Sequence, residues 1–259
     1  MRFFAALVEW PTASVWPDIQ QMVILLIALQ AMQLIDIDGV KESSGPGVGS
    51  HVATRCYREV IVYRLERDKA QPVSARNVAD ASAAIQQELT QTLSTTSSEQ
   101  LSDLVNRVLK ANSIFLHGAG RSALSLRMAA MRLMHFGLEA HVVGDVTTPA
   151  ILPGDVLIAA SGSGSTGSVV SVADKAIAAG AEVIALTTAA DSPLAERAAL
   201  TVVIPAAAKR AADHTASVQY AGSLFEQSVL LVLDSAFHAL WQQSSLSADE
   251  MWRNHSNLE

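Results

Sequence analysis

The run Ser161-Gly162-Ser163-Gly164-Ser165-Thr166 sets four hydroxyls and two glycines into six positions. It follows the apolar stretch 156–160 (VLIAA) and precedes a small-residue, helix-like segment over 167–179. A strand that ends in Gly and Ser and opens into a helix leaves N–H groups unpaired at the positive end of the helix dipole. Such a turn is a ready site for a phosphate, and the hydroxyls add donors without adding bulk. A second turn, Gly118-Ala119-Gly120-Arg121-Ser122, follows another short apolar run, 113–117 (SIFLH). It is not a dinucleotide fingerprint, because Ala123 stands where G-x-G-x-x-G needs its third glycine and no acidic residue ends the next apolar run. It reads instead as a tight turn that carries Gly120, Arg121 and Ser122 to a ligand. Arg121 then supplies the local positive charge an anion needs.

The elements around these turns follow from periodicity. Ser74 is placed to cap a helix with Val78, Ile85, Leu89 and Leu93 at helical spacing. Ser98 is the expected cap of a second helix whose apolar face is Leu101, Leu104, Val105, Val108 and Leu109. Short apolar strands are expected at 113–117, 140–143, 156–160, 182–186 and 200–204. Helices are expected at 123–136, stopped by Gly137, and at 166–179, stopped by Gly180. A short helix at 193–199, a long one at 217–242 and a last one at 246–252 complete the chain. Strands alternating with helices predict an α/β three-layer sandwich, a five-stranded parallel sheet flanked by helices. Ligands of such sheets sit at the carboxyl ends of the strands, where both Gly/Ser turns fall.

Residues 1–73 read differently. A helix over 19–35, a breaker at Gly45-Pro46-Gly47-Val48-Gly49 and a short strand over 59–65 (EVIVYRL) are the features there. The segment carries no chemical constellation and is expected to be loosely packed or an extension from an upstream start. A chain begun near Ser74 should then keep fold and activity.

The 259 residues are 50% hydrophobic and 17% charged, which describes a core-rich globular protein. A net charge of −7 gives no general footprint for nucleic acid. The single cysteine, Cys56, forms no internal disulfide and suits a reducing compartment, so a cytoplasmic location is expected. His51, Cys56 and His214 have no metal-site spacing, and no metal is expected. Glu9, Trp10 and Pro11 interrupt the first apolar run, so no secretory leader is read there. The apolar run 22–29 is too short for a bilayer, which needs about 20 residues. Neither nucleic acid nor membrane is therefore expected as a partner.

The two turns, together with Ala130-Met131-Arg132-Leu133-Met134-His135, Gly222-Ser223-Leu224-Phe225-Glu226-Gln227 and the terminal Asn257-Leu258-Glu259, resemble sugar-isomerase (SIS) domains. More closely, they resemble the 6-phospho-3-hexuloisomerase family, over roughly residues 74–259. The serine loop alone marks the superfamily, and the combination is more specific. The sequence departs from the usual pattern at Ser165, where an acidic residue is common, and at Tyr220-Ala221, where Pro-Met is common. The resemblance implies a flavodoxin-like SIS fold, a homotetramer and no metal or organic cofactor. It implies interconversion of 3-hexulose 6-phosphate and fructose 6-phosphate in formaldehyde fixation through the ribulose monophosphate route, next to a hexulose-6-phosphate synthase.

Moving a ketone from C3 to C2 needs a base, donors for the enediolate oxygens and a phosphate anchor. Glu226, in the family-like SLFEQ motif, is the expected base. Its apolar neighbours Leu224, Phe225, Val229 and Leu230 should raise its pKa by partial burial. His135 and His255 are the expected helpers, His255 from a neighbouring subunit. His117 is expected to pack or to bind backbone. Gly120, Arg121, Ser122 and the loop Ser161, Gly162, Ser163, Gly164, Ser165 and Thr166 are expected to hold the phosphosugar. The long helix 217–242, apolar on more than one face, suggests a homo-oligomer. Two rivals are another SIS isomerase, acting on arabinose 5-phosphate or a heptose phosphate, and a sugar-phosphate-sensing regulator. Residues 1–73 hold seven Lys+Arg against eight Asp+Glu and show no basic recognition helix, which disfavours the regulator.

Overall fold

The structure is a computed structural model that describes residues 71–206 and 217–258. The expectations for the earlier segment, and for His51, Cys56 and His214, lie outside the described residues. Helix α1 (Ala75–Thr95) starts at a capping box in which Ser74 Oγ accepts from Asn77 N and the Asn77 side chain accepts in return. Helix α2 (Ser98–Lys110) is capped by Ser97, not Ser98. Ser97 Oγ accepts from Gln100 N at 3.2 Å, so Ser98 is already the first helical residue. Glu99 in the first turn and Arg107 and Lys110 in the last complement the helix dipole.

Five strands come next: β1 (Ile114–Gly118), β2 (Ala140–Val142), β3 (Val156–Ala160), β4 (Glu182–Thr187) and β5 (Leu200–Val203). They form one all-parallel sheet in the order β2-β1-β3-β4-β5. Every residue of β3 is buried, as a central parallel strand covered on both faces requires. Between β1 and β2 runs α3 (Gly120–His135), and between β3 and β4 runs α4 (Gly167–Ala178). After β5 come α5 (Ser223–Gln243) and α6 (Ala248–Trp252).

The period-2 alternation of the strands divides the core in two. Ile114, Leu116, Ile158, Ile184 and Val202 face one way, into a layer with Leu104, Val108, Leu126, Leu133, Val229 and Val232 of α2, α3 and α5. Phe115, Leu157, Ala159, Val183 and Ala185 face the other way, onto Val169, Ala173 and Ala176 of α4. The expected three-layer sandwich is therefore observed. The buried Asp155, just before β3, accepts from Ser113 N at 3.1 Å and Leu152 N at 2.7 Å, which ties the starts of β1 and β3 together.

Three further expectations are corrected. Helix α3 begins at Gly120, three residues before the expected Ala123, so Arg121 and Ser122 belong to its first turn. Gly120 has φ 57°, which lets the chain pivot from strand into helix without an intervening loop. The expected helix over 193–199 shrinks to a 3₁₀ turn at Ala195–Arg197. The long helix starts at Ser223, not Ser217, because Ala221 takes a left-handed φ of 53° and Gly222 becomes its N-cap. The apolar faces of that helix are also met within the chain: α5 packs against α1, α2 and α3.

Candidate active site

The order β2-β1-β3 makes β1 and β3 neighbours whose chains leave in opposite directions. From β1 the chain crosses to β2 by α3 on one face, and from β3 it crosses to β4 by α4 on the other. A crevice opens at such a switch point, outside the carboxyl ends of the strands. Here it is a cavity of about 190 Å³. Gly120, Arg121 and Ser122 line one side and Ser161, Gly162, Ser163 and Thr166 the other, with Gly222, Phe225 and Glu226 closing it from α5. The structure thus brings together both sequence turns and the expected base.

The serine loop is held rigidly from behind. Gly162 O accepts from Thr188 N at 3.0 Å, Thr188 Oγ1 at 2.8 Å and Thr187 Oγ1 at 3.1 Å. Gly164 O accepts from Leu194 N at 2.9 Å. Gly164 has φ 61°, and a Cβ there would lie 2.0 Å from Ser192 Oγ, so both its backbone and its space require glycine. Gly162 sits against Phe225, whose ring carbon would be 3.2 Å from an added Cβ. Ser161 is buried and its Oγ lies 2.8 Å from Thr166 Oγ1. Thr166 is the N-cap of α4 but makes no side-chain cap bond. The N–H groups of Ser163, Gly167 and Ser168 find no acceptor among the described residues. They form the unpaired donor set that an anion needs. Gly164 and Ser165 do not line the cavity. Gly164 shapes the loop, while exposed Ser165 Oγ donates to Ser163 Oγ at 3.0 Å.

Helices α3 and α5 run side by side in the same direction, with Arg121 beside Glu226 at one end and Phe136 against Phe237 at the other. Arg121 Nε donates to Glu226 Oε2 at 2.5 Å, and Ser125 Oγ donates to Glu226 O at 2.8 Å. The Glu226 side chain is 13% exposed and that of Arg121 63%. Sequence reasoning treated the two as base and anion ligand separately, and the fold couples them. The terminal amino groups of Arg121 have no acceptor among the described residues, so they remain for a ligand. The cation and the carboxylate neutralise each other, which leaves N–H groups and hydroxyls as the main polar surface of the cleft.

His135 and His255 stack on each other with ring centroids 5.0 Å apart, and His255 stacks on Trp252 at 4.4 Å. They sit at the far end of α3, about 21 Å from Arg121 at 1.5 Å per residue over fourteen residues. Within one chain the histidines meet each other but not the cleft. Burial, then the nearby His255 and Arg132 charges, hold the His135 pKa below its ordinary value. Burial also lowers that of His117, partly opposed by the Val143 backbone, and its Nε2 is buried without a partner.

Sequence reasoning missed Thr187, Thr188 and Ser192, which fix the loop, and Phe225 and Gly222, which close the cleft. The hydroxyl pair at the carboxyl end of the fourth strand was the available signal. Among the described residues no group of three or more His, Cys, Asp or Glu side chains could hold a metal, and no helix is long and apolar enough to cross a membrane.

A parallel sheet in this order with a Ser/Gly loop at its switch point is the arrangement of an SIS domain, and the SIS domain family matches residues 108–231. A 3-hexulose-6-phosphate isomerase of Mycobacterium gastri is 46% identical over 194 residues, 75% of this chain and 98% of that protein. One from Bacillus subtilis is 38% identical over 178 residues, 68% of this chain and 96% of that protein. A crystal structure from Methanococcus jannaschii, for which a 3-hexulose-6-phosphate isomerase function was inferred, superposes with a TM-score of 0.60 at 31% identity, covering 70% of this chain and 99% of that one. The chain belongs to the 3-hexulose-6-phosphate isomerase family.

Proposed function

We propose that this protein isomerises 3-hexulose 6-phosphate to fructose 6-phosphate through an enediol. The observation that carries the reading is the convergence of one carboxylate, Glu226, with an unpaired N–H and hydroxyl cradle in a single cleft. The phosphate binds the N-terminus of α4 through backbone N–H groups and Ser161, Ser163 and Thr166. Glu226 takes the proton from C2 of the 3-ketose, leaving an enediol across C2 and C3. The proton returns at C3 while the O2 hydroxyl proton moves to O3, so C2 becomes the carbonyl and nothing is oxidised overall. The terminal amino groups of Arg121, beside the base, stabilise the oxygen on which charge develops.

The finer reading runs along the same line. The reaction serves formaldehyde fixation by the ribulose monophosphate route in the cytoplasm, with a hexulose-6-phosphate synthase as pathway neighbour. The working form is a homotetramer. Its support is a stripe on α3, where Leu124, Met128 and Met131 are 60%, 53% and 56% exposed at helical i, i+4, i+7 spacing. In that assembly His135 and His255 serve a neighbour's cleft. The related enzymes favour this substrate over arabinose 5-phosphate, heptose phosphates or a regulatory role.

Incubating the purified protein with each candidate phosphosugar tests the proposal. Fructose 6-phosphate should appear from the 3-hexulose, with deuterium from D₂O at the carbon that receives the proton. Turnover of arabinose 5-phosphate with none of the hexulose would overturn it.

A further inference from the structure

Glu88 stands on α1, outside the cleft. Its carboxylate gathers three donors from one short segment 130 residues further along the chain. Oε1 accepts from Val218 N at 2.8 Å, and Oε2 accepts from Ser217 Oγ and Gln219 Nε2, each at 3.1 Å. Within the segment, Gln219 N donates to Ser217 Oγ at 3.0 Å. Hydrogen bonds to an ionised acceptor are the stronger kind, and three on one carboxylate make a clamp.

The residues just past the clamp lead into the cleft. Ala221 is the only non-glycine residue with positive φ among the described residues, at 53°. A Cβ in that region is strained, and strain persists only where the surroundings impose it. Gly222 comes next, lines the cleft, and accepts from Glu226 N at 3.0 Å in the first turn of α5. From the other side, Ser125 of α3 holds Glu226 O. The turn that aims Glu226 is therefore fixed between α3 and a clamp on α1.

We infer that Glu88 is a positioning residue for the isomerisation. By holding 217–219 it keeps Ala221 in its left-handed conformation and sets the first turn of α5, so that the Glu226 carboxylate stands over the reacting carbons. This rests on the reading of Glu226 as the base. The phosphate cradle lies on the β3–α4 loop, which Glu88 does not touch, so the effect falls on turnover and not on substrate affinity.

The test uses the full chain and four variants, Glu88→Gln, Glu88→Ala, Ala221→Gly and the double Glu88→Ala/Ala221→Gly. For each, kcat and KM are measured with fructose 6-phosphate, alongside Tm. Glu88→Ala should lose about tenfold in kcat, with KM within about twofold, because small misplacements of a catalytic group are costly. Glu88→Gln, which keeps one acceptor, should fall between. Adding Ala221→Gly should restore at least about threefold, since glycine reaches the same φ without the tether. A lower Tm without a change in kcat, a loss that appears only as raised KM, or no rescue by glycine would each overturn the role. If Glu88→Ala does not fold, Glu88→Gln decides by the same kcat and KM criteria. A fully active Glu226→Gln would sink the base reading itself. An inactive Glu226→Gln beside unaltered Glu88 variants would sink only the positioning role.

Discussion

Glu226 and Arg121 form an ion pair across the cleft, and that pairing shapes what each substitution should do. Glu226→Gln keeps shape and hydrogen bonding but removes the proposed base, so kcat should fall about 10²–10⁴-fold. Substrate affinity should change little, because the phosphate cradle is separate. A variant that turns over at the wild-type rate would make Glu226 structural. The two cradle serines should differ from each other. Losing one charge-assisted bond of about 1.5–3 kcal/mol should raise KM roughly 10–100-fold for Ser161→Ala or Ser163→Ala. Ser163 is exposed, so its variant should keep the wild-type Tm. Ser161 is buried against Thr166, and its removal strips that hydroxyl of its partner, which should lower stability by about 1 kcal/mol. Steady-state kinetics with thermal melts separates these outcomes.

At the scale of the element, the serine loop and the strand β1 each carry a stability consequence. Gly164→Ala would force a Cβ to within 2.0 Å of Ser192 Oγ at a left-handed φ. Strain and overpacking, each about 1–3 kcal/mol, should lower Tm by about 5–15 °C for a domain of this size. Gly162→Ala meets only a Phe225 edge at 3.2 Å and should cost less. Calorimetry on the two variants checks the ranking. His117 is the next-to-last residue of strand β1, and α3 ends at His135. Burial is the main cause that lowers both pKa values below the ordinary 6.5. As pH falls through about 6.5, the unfolded chain takes up protons that the folded chain does not, so stability is fully present above that value and declines below it. Urea midpoints should therefore drop between pH 7.5 and 5.5, and His117→Asn should flatten that slope. An unchanged slope would place the titration elsewhere.

For the whole molecule, the question is how a helper far from the cleft takes part. His135 and His255 stack together about 21 Å along α3 from Arg121, beside the exposed stripe of Leu124, Met128 and Met131. If copies pair through that stripe, a neighbour's histidines can be brought to the cleft. Mixing inactive Glu226→Gln subunits with His255→Ala subunits should then restore activity, since some clefts would combine an intact base with an intact histidine. No recovery on mixing, or a monomer by light scattering at micromolar concentration, would confine the histidines to packing. Met128→Glu should disperse the assembly while leaving the monomer folded, because that side chain is 53% exposed.

Local pattern made much of this legible. The five strands, the glycine stops at Gly137 and Gly180 and the Ser/Gly turn at 161–166 could be read because each depends on neighbours within a few residues. Strands bury alternate side chains, and an orphaned helix N-terminus advertises itself in Gly and Ser. The family-like SLFEQ motif pointed to Glu226 for the same reason. Tertiary structure alone decided what those residues meet. Arg121 finds Glu226 across 105 residues, Glu88 finds Val218 across 130, and Ser192 closes on Gly164. Helix starts also moved where a residue of left-handed φ intervened, at Gly120 and Ala221. The cleft exists because β1 and β3 lie side by side while their helices leave to opposite faces. No periodicity along the chain encodes that adjacency, because strand order is settled by how the helix and sheet faces bury one another in three dimensions.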